Sequence, residues 1–87
     1  MGEKPAEEKK IEMLFETKDL ALAAYLKMTG LKIRKIYNSR NKTVFSFIDV
    51  PERKSWIDDY FNGRAKVDPL IYKDTLRNLK TYTYNRR

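Results

Sequence analysis

Residues 20–28 (LALAAYLKM) restrict the fold more than any other part of the sequence, because eight of these nine residues are apolar. At about 100° per residue, their side chains point to nearly all sides of a helix. Such a helix must be covered on most sides, either by the rest of a small domain or by a second subunit. Thr17 is predicted to cap this helix, Asp19 to lie in its first turn, and Gly30 to end it.

Strand patterns precede and follow this helix. Ile11, Met13 and Phe15 occupy alternate positions, which is the period-two pattern of a strand with one buried face. After the helix, two strands at about residues 31–37 and 43–49 are predicted on either side of the turn NSRN. The chain is therefore expected to form a β-hairpin that packs beside an earlier strand.

The two faces of this hairpin differ in character. The core face is expected to carry Leu31, Ile33, Phe45 and Phe47, and the other face Lys32, Arg34, Val44, Ser46 and Ile48. The alternation breaks at Lys35 and Ile36, which indicates a bulge or a strand end there.

Two further helices are predicted after the hairpin. Pro51 stops the sheet and starts the second helix (ERKSWIDDYFN), which Gly63 ends. Asp68 followed by Pro69 predicts the N-cap and first residue of a third helix that runs to about residue 83. Their inward faces are expected to hold Trp56, Ile57, Tyr60 and Phe61 in the second helix, and Ile71, Tyr72, Leu76, Leu79 and Tyr82 in the third.

The resulting element order is β-α-β-β-α-α. It predicts an α+β domain with a three-stranded, mainly antiparallel sheet and helices packed on one face. Residues 1–10 are polar, mixed in charge and contain Pro5, which predicts a disordered tail. Residues 11–87 are expected to form a single small α+β domain.

Composition excludes several classes of function. The chain has no cysteine and no histidine, so it lacks disulfides, a cysteine zinc site and the commonest general base. Its three glycines are isolated, so no glycine-rich loop can cradle a phosphate. Asp58 and Asp59 diverge by about 100° on their helix and are interpreted as surface acids rather than metal ligands. We therefore expect no enzyme, no cofactor and no metal site.

The sequence also predicts a cytoplasmic protein without membrane contact. Its longest apolar run, residues 20–26, is far shorter than the ~20 residues that cross a bilayer. The N-terminal stretch MGEKPAEEKK lacks the apolar segment of a secretory signal.

The net charge of +7 is spread unevenly along the chain. Residues 1–16 hold three bases and five acids, whereas residues 17–50 hold seven bases and two acids. The positive excess lies in the middle of the chain and at its C-terminus, which is where a polyanion would bind.

The hairpin is the first candidate site. Its bases would neutralise phosphates, and an aromatic side chain beside them would stack on an unpaired base. The candidate nucleic-acid-binding residues here are Lys32, Arg34, Lys35, Tyr37, Arg40 and Lys42. Two alternatives need no ligand. The acids Glu12 and Glu16 would pair with Lys32 and Arg34, or the lysines would keep an edge strand from aggregating.

The third helix is the second candidate site. Lys73, Arg77 and Lys80 form a narrow basic stripe, which Tyr84 extends, and a phosphate backbone would lie along it. The alternative is a solvated helix face whose cations complement the negative end of the helix dipole.

The aromatic group Trp56, Tyr60 and Phe61 is more typical of a core than of an interface hot spot. Together with the nearly all-round apolar first helix, it leaves a homodimer open, because a chain this small gains core by pairing.

Two segments also carry a resemblance to a known family. FETKDLALAAYLKMTG, residues 15–30, and NGRAKVDPLIYKDTLRNLKT, residues 62–81, resemble a small domain family of unknown function from bacteria, archaea and their phages. The similarity covers roughly residues 12–84, and its motifs are mostly helix caps, glycines and core positions. The resemblance implies a viral or prokaryotic cytoplasmic origin. It implies no activity, and no functional residue can be carried over from it.

Two functional hypotheses follow. The first is a small basic accessory protein that binds nucleic acid largely through charge, without strong sequence specificity. The second is a protein–protein interaction or regulatory module of a phage or prokaryote, which docks on an acidic partner surface, alone or as a dimer.

Overall fold

The computed structural model of this chain describes residues 13–84 and, for Tyr84, only the backbone. Its elements are β1 (Leu14–Thr17), α1 (Leu20–Thr29), β2 (Lys32–Ser39), β3 (Lys42–Ile48), α2 (Arg53–Phe61) and α3 (Pro69–Tyr84). The predicted order β-α-β-β-α-α and the α+β class are therefore confirmed. The predicted tail at residues 1–10 and Ile11 of the predicted first strand lie outside the described residues.

The three strands form one sheet in the order β1-β3-β2. Both neighbouring pairs are antiparallel, so β3 is the central strand and β1 and β2 are its two edges. Phe47 of β3 lies opposite Phe15 of β1 and Ile33 of β2. These apolar residues on three adjacent strands form the face of the sheet that packs in the core.

A β-bulge interrupts the ladder between β2 and β3. Ile33 pairs with Phe47 and Lys35 with Ser46, so Arg34 has no register partner. Because of this extra residue, Ile33 and Ile36 both pack against the core although they are three positions apart. The predicted irregularity is confirmed, and it begins one residue earlier than the sequence pattern indicates.

Helix α1 lies at the centre of the domain. Five consecutive residues, Leu22, Ala23, Ala24, Tyr25 and Leu26, are buried. Side chains from the sheet, from α2 and from α3 surround them, among them Phe45 and Leu79. The rest of this small domain therefore covers the apolar helix. All three helices pack on the Phe45 side of the sheet, as predicted.

The cap of α1 differs from the prediction. The Asp19 carboxylate accepts a hydrogen bond from the Leu22 amide at 3.1 Å, which makes Asp19 the N-cap. Thr17 stands two residues earlier, where its Oγ1 accepts a hydrogen bond from the Asp19 amide. Two further predicted caps, Gly30 and Asp68, are confirmed. Gly30 ends α1 with a φ of 129°, and Asp68 accepts hydrogen bonds from the first amides of α3.

Four side chains expected in the core are exposed instead. Met13, which precedes β1, is 68% exposed. Phe61 is 67% exposed because it is the last residue of α2, and Ile71 and Tyr82 of α3 are 53% and 46% exposed. The part of α3 that packs in the core contains Tyr72, Leu76 and Leu79. Ile71 and Tyr82 lie about 90° round the helix from that stripe. Within residues 13–84, no helix combines the length and the apolar character needed to span a bilayer.

Candidate nucleic-acid interface

The side of the sheet that faces away from the helices is here called the outer sheet face. It carries Leu14 and Glu16 from β1, Lys32, Lys35 and Tyr37 from β2, and Val44, Ser46 and Ile48 from β3. Val44 is only 4% exposed and Ser46 is fully buried, although the helices lie on the opposite side. Side chains of this face must therefore cover the central strand.

Tyr37 provides much of this cover. Its hydroxyl donates a hydrogen bond of 2.9 Å to Oε1 of Glu16. Because β1 and β2 lie on opposite sides of β3, their backbones are about 10 Å apart, which is two strand spacings. The Tyr37 ring must therefore lie across β3, above its register partner Val44. The hydrogen bond to the Glu16 carboxylate also raises the pKa of the Tyr37 hydroxyl.

Lys35 lies beside this ring. Its Nζ is 5.0 Å from the centroid of the Tyr37 ring, within the range of a cation–π interaction. Lys35 and Tyr37 are two positions apart on β2, so both side chains project from the outer sheet face. The face thus presents an aromatic ring that is fixed at its hydroxyl end and has a cation over it.

Three further bases of the hairpin lie on the same two strands and in their turn. Lys32, Arg40 and Lys42 are exposed, and none of them forms an ion pair with a carboxylate of the described residues. Glu16 forms no ion pair with Lys32, and its Oε1 accepts the Tyr37 hydroxyl instead. The other predicted partner, Glu12, lies outside the described residues. The charge of these three bases is therefore available to a ligand.

The hairpin turn holds Arg40 in an unusual conformation. Arg40 and Asn41 have φ angles of 54° and 68°, and they join Ser39 to Lys42 in a two-residue connection. Positive φ at both central positions is typical of a type I′ turn, which favours Asn and Gly. For a residue with a Cβ, this left-handed backbone conformation costs about 1–2 kcal/mol of folding free energy. The chain therefore keeps a cation at the hairpin tip at a cost in stability.

The basic stripe of α3 does not join this surface. Asn78 and Tyr82 line a groove with Ile33 and Ile36, so this flank of α3 faces β2. The stripe, which is formed by Lys73, Arg77 and Lys80, lies about 150° round the helix from that flank. Arg77 also pairs with Asp74 at 3.7 Å. The last predicted member, Tyr84, is the final residue of α3, and its side chain is not among those described.

The two candidate acids of α2 are joined by one base. Arg64 binds Asp58 at 2.7 Å and Asp59 at 3.1 Å. This ion-pair cluster ties the end of α2 to the following loop. In the part of the chain that the structure describes, no group of three or more acids occurs that could hold a metal ion.

An ion pair that was not predicted from the sequence lies at the opposite end of α2. Arg53 donates to both carboxylate oxygens of Asp49, at 3.0 and 2.9 Å. Its guanidinium also stacks 4.3 Å from the centroid of the Phe15 ring. The hydrogen bonds from Arg53 lower the pKa of Asp49. Asp49 precedes α2, so the i, i+4 pairing pattern of a helix does not indicate this pair in the sequence.

One family matches the chain. The sequence profile of a domain of unknown function (DUF5659) matches residues 12–85. This span includes all three strands, all three helices and every candidate side chain discussed above. No curated protein and no solved structure matches the chain.

Proposed function

Since the chain belongs to the DUF5659 family, whose description gives no function, we propose a function from the outer sheet face: the protein binds nucleic acid through this face and the adjoining hairpin turn. One observation carries the proposal. Lys32, Arg40 and Lys42 have no carboxylate partner among the described residues, and they flank an aromatic ring on the same strand pair. Unpaired cations around an aromatic surface are the combination that phosphates and bases require.

The binding is expected to depend mainly on charge. Within the hairpin, side chains of the β2 edge strand and the turn contact phosphates, and phosphate contacts carry no sequence information. The strain at Arg40 supports this assignment, because a turn selected for stability alone would place Asn or Gly there. The α3 stripe faces another direction and is not needed for this site.

Fluorescence anisotropy with a labelled oligonucleotide, titrated across salt, tests the proposal. In the variant Lys32→Ala/Arg40→Ala/Lys42→Ala, affinity should fall for all sequences. For a single strand, the slope of log K against log salt should become shallower by about 2, because three phosphate contacts are lost. A matched variant, Lys54→Ala/Lys66→Ala/Lys73→Ala, removes the same charge from exposed positions outside the hairpin.

The two variants have the same net charge. The comparison therefore distinguishes a binding site at the hairpin from a general effect of the protein's charge. Equal losses in both variants would contradict the assignment to the hairpin. Absence of binding by the wild-type protein at low salt would contradict the proposed function itself.

A protein–protein interaction is the second candidate function. Phe61 at the end of α2 and Leu70 and Ile71 in the first turn of α3 are all more than half exposed. Exposed large apolar side chains are frequent where a protein partner docks. Exposed cations close by in the sequence, Lys66 and Lys73, favour an acidic partner surface. For the dimeric form of this candidate, the three apolar side chains rather than the lysines would make the contact with a second copy of the chain, and self-association is tested first.

Light scattering across protein concentration tests self-association. The wild-type protein should form a dimer that the variant Leu70→Ser/Ile71→Ser dissociates. A wild-type protein that remains monomeric up to high concentration would contradict a homodimer.

A further inference from the structure

We propose that the outer sheet face selects single-stranded nucleic acid, with the ring of Tyr37 as the surface on which one base stacks. This inference rests on the proposed function and specifies its ligand. The inference depends on the position of the Tyr37 ring. The hydrogen bond to Glu16 draws the Tyr37 side chain across β3. The ring and Val44 line the same depression of this face, and the Lys35 ammonium reaches one side of the ring, so that side is open to a ligand that displaces it.

The ring is held in place before a ligand arrives. A free tyrosine side chain loses rotamer freedom when a base stacks on it, and this loss reduces the affinity. In this protein the 2.9 Å hydrogen bond to Glu16 already restricts the ring. Stacking on a ring that is already fixed therefore costs less conformational entropy.

Lys35 supplies a cation at the same place. Its Nζ lies over the Tyr37 ring at 5.0 Å from the centroid. An ammonium group on a flexible stem can move from the ring to a phosphate when a base takes its position. The base and its neighbouring phosphate would then both gain a contact in one step.

The other cations are arranged along a line that an extended strand can follow. Lys32 precedes Tyr37 on β2, and Arg40 and Lys42 follow it at the turn. At about 3.3 Å per residue, Lys32 lies roughly 15 Å from Tyr37. A single strand that runs along β2 would therefore meet cations on both sides of the stacked base.

A duplex cannot use this surface in the same way. Its bases are paired and stacked on each other, so none is free to cover an aromatic ring without local melting. Only the phosphates of a duplex would meet the hairpin bases. Single strands should therefore bind more tightly than duplexes of the same length at equal salt.

The test combines two variants with two ligands. The ligands are a labelled 12-nucleotide oligothymidine and a 12-mer of abasic sites, which has the same phosphates and no bases. Tyr37→Leu removes the ring and keeps an apolar cover for Val44. Tyr82→Leu is the matched control, because Tyr82 is an exposed tyrosine on the groove side of α3. Thermal unfolding followed by circular dichroism checks that each variant folds.

Stacking of one base contributes about 1–3 kcal/mol, which corresponds to about 5- to 150-fold in Kd. Tyr37→Leu should therefore weaken the binding of oligothymidine by at least about 5-fold and leave the abasic strand unaffected. Tyr82→Leu should change neither ligand. With 5-bromouracil in the strand, ultraviolet cross-linking should give an adduct that mass spectrometry locates at Tyr37.

Three results would overturn this inference while the proposed function survives. They are equal losses for both ligands in Tyr37→Leu, tighter binding of duplex than of single strand, and a cross-link that maps away from β2. If the variant lacking Lys32, Arg40 and Lys42 binds as the wild type does, the proposed function fails as well. If Tyr37→Leu does not fold, Tyr37→Phe takes its place in the same test. This substitution keeps the ring and removes the hydrogen bond to Glu16. This variant should retain the preference for oligothymidine over the abasic strand, and loss of that preference would contradict the inference.

Discussion

Tyr37 and Glu16 stand on opposite edge strands of the sheet, yet the Tyr37 hydroxyl donates a 2.9 Å hydrogen bond to the Glu16 carboxylate across the central strand. This contact links the two edges of the sheet directly and covers the centre of the outer sheet face. The Glu16 carboxylate accepts this hydrogen bond from the ring, and within residues 13–84 no carboxylate forms an ion pair with Lys32 of β2. The hydrogen bond therefore orders the ring on a strand that also carries an exposed cation.

The Tyr37–Glu16 contact predicts a dependence on alkaline pH. The hydrogen bond and the charge of Glu16 favour the neutral phenol, so the pKa of Tyr37 in the folded protein lies above its ordinary value of 10.0. Its contribution to stability is complete below about pH 10 and is lost as the pH rises through the folded-state pKa. Glu16→Gln should move the titration of this one tyrosine back toward 10.0.

Carbon-13 NMR of tyrosine Cζ measures this titration residue by residue. Tyr60 and Tyr72 provide internal controls, because burial is the first cause of their raised pKa values and Glu16 is not among the causes. Their titrations should be the same in the wild type and in Glu16→Gln. A Tyr37 titration that does not change in the variant would contradict the role of Glu16.

Because the hairpin turn is strained at Arg40, a substitution that relieves the strain and removes the charge should raise the stability of the protein and lower its affinity for nucleic acid. Arg40→Asn places a residue that tolerates a φ of 54° at the tip of the hairpin. The free energy of unfolding should rise by about 0.5–1 kcal/mol, or about 2–8 °C in Tm. Nucleic-acid affinity should fall, because a phosphate contact is lost.

Asn41→Gly is the control for the turn. It relieves the second positive φ, of 68°, without changing the charge. It should stabilise the hairpin and leave binding intact. If Arg40→Asn lowers the Tm, the strain argument is wrong. If it leaves affinity unchanged, Arg40 is not a phosphate contact.

Ser46 predicts a stabilising substitution. It is fully buried at the centre of the outer sheet face, and its Oγ has no hydrogen-bond partner among residues 13–84. A buried hydroxyl without a partner costs about 1–3 kcal/mol. Ser46→Ala should therefore raise the free energy of unfolding by about 1 kcal/mol, as measured by urea denaturation. Ser39→Ala, at the end of the adjacent strand, should change it by less than about 0.5 kcal/mol. A loss of stability in Ser46→Ala would mean that the hydroxyl has a bonding partner in solution.

Removing Arg53 from its ion pair with Asp49 should cost more stability than removing Arg64 from its exposed pairs with Asp58 and Asp59. The Arg53 side chain is 21% exposed and binds both oxygens of Asp49, whereas the Arg64 side chain is 57% exposed. Arg53→Met should lower the free energy of unfolding by about 1–2 kcal/mol. Arg64→Met should lower it by less than about 1 kcal/mol. Urea denaturation at pH 7 compares the two variants, and equal losses would contradict the contrast.

The acid side of the pH profile tests the same pair. Arg53 holds the pKa of Asp49 below its ordinary value of 3.8. The resulting stabilisation is present above about pH 4 and is lost as the pH falls through the lower, folded-state pKa. The stability difference between the wild type and Arg53→Met should therefore narrow on going from pH 7 to pH 2. A difference that stays constant would show that packing on Phe15 dominates.

Much of the fold can be predicted from local patterns. Alternation assigns Phe45 and Phe47 to the core and Lys32 to the other face, and the broken alternation locates the bulge near Lys35. The caps at Gly30 and Asp68 depend only on the geometry of a single helix end, so they can also be predicted from the sequence. The choice between Thr17 and Asp19 is harder, because both residue types cap helices well and stand two positions apart.

The arrangement of the site depends on information that local patterns lack. Alternation identifies strands and their faces but does not state which strands are neighbours, so the contact between Tyr37 and Glu16 cannot be derived from it. The exposure of Ile71 and Tyr82 depends on how α3 is rotated against α1, which tertiary packing decides. The positive φ of Arg40 is likewise unexpected, because the residue type disfavours it.

The central position of β3 also has a consequence during protein synthesis. β1 is made before β3, which is its paired neighbour in the sheet of residues 13–84, where Leu14 pairs with Ile48. Ribosomes add about 5–20 residues per second, so β1 waits roughly 2–7 s for its partner strand to be made. During that interval α1 has no sheet to pack on. The hairpin of β2 and β3 is the first part of the sheet whose two strands follow each other directly in synthesis, and it contains the β3 edge on which β1 pairs.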